Sequence, residues 1–150
     1  MKHSKLLATA FGVAVAGAIS FGAQAEEMAA FEIVDGTIPQ SLTGTPGDPA
    51  NGRKVAINRK KGNCLACHVM PIPEEQFHGE TGPALDGVGG YSTEAELRMR
   101  MVDAKVINED TMMPSFYKTG QHMVLKSFEG KTILSAQEVE DVVAYLLTLK

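Results

Sequence analysis

The chain has 150 residues, 44% of them hydrophobic, which fits one globular core. Its 14 basic and 18 acidic residues give a formal charge of −4, and no dense Lys/Arg surface is present to suit nucleic acid. The one basic cluster, R-K-x-x-x-x-R-K-K from Arg53 to Lys61, reads as a solvated helix face or a local docking patch.

At the start, Lys2 and Lys5 precede an uncharged run from Leu6 to Gly22, and Ala23 and Ala25 flank Gln24. This is the build of a secretory signal peptide with cleavage after Ala25. The run is 17 residues long and rich in Ala and Gly, short of the roughly 20 strongly apolar residues a membrane anchor needs. Processing would remove two lysines and leave 12 basic against 18 acidic residues, a formal charge of −6. The expected organisation is a signal peptide over 1–25, an arm over 26–47 and a folded domain over 48–150, with the processed chain soluble and outside the cytoplasm.

The arm is rich in Gly, Pro and Thr (VDGTIPQSLTGTPGDP) and has no helical period. Its apolar Phe31, Ile33, Val34 and Ile38 predict that it lies on a surface. A helix is expected to open with Asp48 as N-cap and Pro49 as first residue, a position that needs no amide hydrogen, and to run to about Lys61. From Val69 to Gly90 three prolines and five glycines exclude long regular elements, so this loop must wrap something. Thr93 and Glu96 form a possible capping box for a helix from about Glu94 to Val106, although Leu97, Met99 and Met101 alternate with charges in the manner of a strand. The terminal segment is clearer. Ser135 and Glu138 form a second capping box, and Val139, Val142, Val143, Leu146 and Leu147 follow the i, i+3, i+4, i+7, i+8 period of an amphipathic helix.

The two cysteines of the chain both lie in G-N-C-L-A-C-H, residues 62–68. A disulfide between Cys64 and Cys67 would close a very short loop and leave His68 without a role. Zinc would want about four ligands, and His78 and His122 lack paired zinc-finger spacing. A thioredoxin-like C-x-x-C sits in a βαβ setting that is missing here. C-x-x-C-H is the covalent c-type haem attachment pattern, in which Cys64 and Cys67 bond the macrocycle and His68 takes one axial site on the iron.

For the second axial site the thioethers and histidines compete. Met70 is two residues from His68 and cannot reach the opposite haem face. In T-M-M-P-S-F, Pro114 holds the preceding residue in an extended conformation, which projects Met113 from a loop, and Met113 is the expected ligand. Met112 is expected to pack, Met99 and Met101 to line the core, and His78 and His122 remain alternatives. A proximal histidine also needs its second ring nitrogen satisfied, and the carbonyl of Pro83 in T-G-P-A-L-D-G is the expected partner.

The order C-L-A-C-H, T-G-P-A-L-D-G-V-G, M-M-P-S-F and a terminal A-Y-L-L-T-L resembles the class I c-type cytochromes across nearly all of the processed chain. That resemblance implies a mostly α fold wrapped around one covalent haem c. It also implies a crossing of the first and last helices at a glycine and an aromatic residue, positions matched by Gly52 and Tyr145. The wording E-L-R-M-R-M-V-D-A-K-V-I-N-x-D-T-M-M-P-S-F-Y looks more specifically like the SoxX family, monohaem subunits of periplasmic SoxAX complexes. Its implications are a periplasmic location, a SoxA-like cytochrome partner bearing the reactive haem, a SoxY-type carrier whose cysteine is coupled oxidatively to thiosulfate, and a downstream soluble cytochrome c as electron acceptor. On that reading the chain supplies no bond-making residue. A free carrier cytochrome unrelated to sulfur oxidation, and a haem enzyme or gas sensor with an open site, are the competing readings.

Overall fold

The computed structural model describes residues 28–121 and 124–150. The expected signal peptide, its cleavage site, His122 and Met123 lie outside the described residues. Among the described residues the α-helices are, in chain order, α1 Pro49–Ile57, α2 Val88–Tyr91, α3 Glu94–Asp103 and α4 Ala136–Thr148, with single 3₁₀ turns at Cys64–Ala66, Ala104–Val106 and Lys126–Phe128. Among the described residues there is one isolated bridge, Val34 to Thr37, and no extended strand pairing. No described helix is long and apolar enough to cross a membrane.

Both expected capping boxes form, Thr93 with Glu96 at α3 and Ser135 with Glu138 at α4, and Asp48 caps α1 by accepting from the Ala50 N–H at 2.8 Å. Helix α1 ends at Ile57, four residues before the expected Lys61. Asn58 turns extended there and its carbonyl accepts from the amides of Lys61 and Asn63, which aims the chain at Cys64. Helix α3 stops at Asp103, where the expected last turn tightens into 3₁₀ geometry.

Helices α1 and α4 cross at their backbones. A Cβ on Gly52 would lie 1.9 Å from the Asp141 carbonyl oxygen, so only glycine permits this approach. The surface meeting Gly52 is thus the backbone of Asp141 and Val142. Tyr145, the aromatic residue the resemblance pairs with Gly52, is buried one turn further along α4. The Asp141 carboxylate straddles the crossing, accepting from the Asp48 N–H at 2.8 Å and the Asn51 amide at 2.6 Å. There it also meets the positive end of α1.

Val139, Val142, Val143 and Leu146 of α4 pack against Val55 and Ala56 of α1 and Leu97, Met99, Met101 and Val102 of α3 in one core. Burying each such aliphatic chain contributes roughly 1.5–3 kcal/mol. The strand-like alternation in α3 has a specific origin. Arg98 is 1% exposed and counts as an interior residue, because its guanidinium is forked onto the equally buried Glu140 at 2.8 and 2.9 Å.

That pair also fastens the arm. Arg98 donates to the Ile38 carbonyl at 2.8 Å, Glu140 accepts from the Leu42 N–H at 2.8 Å, and Ile38 is fully buried. The arm therefore lies on the domain as expected, with Phe31 partly buried against the core. Ile33 and Val34 depart from that expectation and stay exposed, carried outward by a tight turn whose central residues, Asp35 and Gly36, both have positive φ.

Candidate haem site

Asn63, in a left-handed conformation, opens the 3₁₀ turn that carries the cysteines. The amides of Cys67 and His68 both donate to the Cys64 carbonyl, at 3.1 and 2.9 Å, which winds C-x-x-C-H into one compact turn. The loop from Val69 to Gly87 wraps this turn, and the single helical turn α2 begins inside the stretch expected to be loop as far as Gly90. Gly79 donates to the Leu65 carbonyl at 2.7 Å, Gly82 to the Cys67 carbonyl at 2.7 Å, and Leu85 to the Val69 carbonyl at 2.9 Å.

His68 Nδ1 lies 2.7 Å from the Pro83 carbonyl oxygen, the partner expected from the sequence. With that nitrogen donating, Nε2 is the ring's available lone pair. Gly82 lies against the ring: a Cβ there would come within 2.4 Å of His68 Cε1. The two cysteines are not joined to each other, which leaves both sulfurs for attachment, and burial pushes the Cys64 thiol up to about 11.

Cys64, Cys67, His68 and Met113 all line one cavity of about 710 Å³, within the roughly 300–1,000 Å³ of cofactor pockets. Its floor is apolar, built from Leu85, Val88, Leu97, Met101, Phe116, Ile133 and Leu146. Besides the motif, its charged lining is Arg59, Lys60, Lys61 and Arg100, with no Asp or Glu among the described residues that line it, in a chain of net negative charge. A macrocycle with a hydrophobic body and two carboxylates fits that lining, and so does the donor set of two thiols, an imidazole and a thioether.

Of the alternative ligands, Met112 is 79% exposed at the cavity's edge and does not pack as expected, whereas Met113 is partly buried against the core. Met99 is fully buried in the core, as expected, and Met101 is both core and cavity wall. His78 is absent from the lining. Its Nδ1 accepts from the Met70 N–H at 3.3 Å, and its buried Nε2 has no hydrogen-bond partner among the described residues. Arg100 is a wall residue not anticipated from the sequence, although Leu97, Arg100 and Met101 share one face of α3 at i, i+3 and i+4.

The model of the family described as "Cytochrome c" matches residues 49–150. The chain belongs to the cytochrome c family. A search of curated proteins returned no match. Among solved structures, this cytochrome is similar to a chain in the crystal structure of SoxXA from P. pantotrophus, with 43% identity and a TM-score of 0.73, over 80% of this chain and 94% of that one. The mostly helical fold, with no strand among the described residues, is that of a class I cytochrome c, and the two comparisons together support a SoxX-like electron-transfer cytochrome with covalent haem c.

Proposed function

We propose that the chain is the electron-relay subunit of a SoxAX-type complex, with a single haem bonded by Cys64 and Cys67 and ligated axially by His68 and Met113. The observation that carries the ligand assignment is the convergence of all four side chains on one cavity. When bound, the cofactor supplies reversible one-electron oxidation and reduction of its iron. The protein's part is to fix the ligands. Pro83 holds the His68 ring with Nε2 as its available lone pair, and the loop at Thr111–Phe116 presents the Met113 thioether. Ligation by both His68 and Met113 would leave no open coordination position, which would favour electron transfer over activation of small molecules.

The location is periplasmic, after removal of residues 1–25. The partner is a SoxA-like cytochrome, which carries out the oxidative coupling of thiosulfate to a cysteine of a SoxY-type carrier, and this chain passes electrons on to a soluble cytochrome c. The SoxXA likeness supports this reading, as do the exposed Ile33 and Val34 on a fastened arm, which a free carrier would have little reason to keep. Affinity purification of the tagged chain from its native periplasm tests it. Co-purification of a second haem-staining polypeptide with thiosulfate-dependent reduction is expected, and a stable monomer indifferent to thiosulfate would leave the free-carrier reading.

A further inference from the structure

The loop that presents Met113 is fastened at both ends to the C-terminal end of α3. On the far side, the Asp103 carboxylate, 7% exposed, accepts from Ser115 Oγ at 2.6 Å and from Lys118 Nζ at 2.6 Å. Next to it, the amides of Phe116 and Tyr117 donate to the carbonyls of Met101 and Val102 at 3.0 and 3.3 Å, using acceptors that a helix end leaves unpaired. On the near side, Lys105 Nζ donates to the Thr111 carbonyl at 2.7 Å, and Thr111 Oγ1 accepts from the Met113 N–H at 3.2 Å. Met113 thus lies between two anchors, and Pro114 beside it has no amide hydrogen to add a third.

We propose that Asp103 is a positioning residue for the Met113 thioether, acting through Ser115 and Lys118 to hold the loop at the distance the iron requires. The proposal rests on Met113 being the distal ligand. Asp103 is suited to this because it is a single buried carboxylate bridging two residues on the ligand's C-terminal side, and charge-assisted bonds of this kind are about twice as strong as neutral ones. The backbone pairing at Phe116 and Tyr117 fixes which stretch of loop lies against α3. The carboxylate then fixes how far the residues on either side of Pro114 swing.

The experiment uses the haem-loaded full chain and reads the near-infrared sulfur-to-iron charge-transfer band and carbon monoxide binding to the reduced protein. Asp103→Ala is expected to weaken or lose the band and to let carbon monoxide bind the reduced protein, since removing a ligand's supporting residue loosens the ligand. An Arg98→Met variant, destabilised elsewhere, should keep the band, which separates positioning from general loss of stability. If Asp103→Ala fails to fold, Ser115→Ala and Lys118→Ala carry the same test from the other end of each bond. A band kept in Met113→Ala overturns the ligand assignment itself. A band lost in Met113→Ala but intact, with carbon monoxide still excluded, in the Asp103, Ser115 and Lys118 variants overturns this inference alone.

Discussion

Gly82 and His68 are in such close contact that the imidazole ring fills the space a side chain at residue 82 would need. The ring is also tied to the Pro83 carbonyl, so it cannot swing away without losing that bond. Gly82→Ala is therefore expected to displace the ring and lower the yield of haem-loaded protein by about tenfold, the scale of effect seen when a ligand's support is disturbed. Haem staining against total protein measures it, and an unchanged ratio would contradict the expectation.

The two methionines of T-M-M-P-S-F should behave differently. Met113 is partly buried in the cavity wall, whereas Met112 is largely exposed. Met113→Ala is expected to abolish the charge-transfer band and open the iron to carbon monoxide, while Met112→Ala leaves both unchanged. Visible and near-infrared spectra of the two variants decide it.

The crossing of α1 and α4 leaves no room for a methyl group at Gly52, and the atoms opposite are backbone, which cannot rotate aside. Gly52→Ala should cost about 1–3 kcal/mol or more, read as a lowered urea midpoint with the denaturant slope unchanged.

Arg98 and Glu140 form a buried pair that also serves the arm. Arg98→Met leaves Glu140 charged and without its cation, at a cost of about 3–5 kcal/mol. The arm should then become cleavable near Ile38 and Leu42 in limited proteolysis before the domain unfolds.

Asp141 links stability to pH. Burial alone would push its carboxyl up, but bonds from the Asp48 amide, Asn51 and Gln137 outweigh it and hold the carboxyl below its usual value. A depressed carboxylate stabilises the fold above its unfolded value of about 4, and that contribution is lost as pH falls through the folded value. Urea midpoints should drop as pH falls below about 4, and Asp141→Asn should flatten that drop.

Several elements are set by local chemistry and are legible from the letters. Asp48 with Pro49, Thr93 with Glu96 and Ser135 with Glu138 open their helices as expected, because a cap joins residues two or three apart and needs nothing distant. The length of α1 was not legible, since its end depends on Asn58 turning the chain toward the cavity.

By itself the sequence determined the attachment motif and the capped openings of α1, α3 and α4, because C-x-x-C-H and the caps act over short range, whereas the single turn α2 falls in a stretch that reads as loop. Only the tertiary structure decided that Arg98 is an interior residue, that Met112 faces outward while Met113 lines the cavity, and that Asp103 fastens the Met113 loop to α3. For the buried charges Arg98 and Asp103 the physical reason is the same. A charged side chain reads as surface until a partner such as Glu140, 42 residues away, or Lys118, 15 residues away, satisfies it in the interior, and no local pattern records where that partner will be.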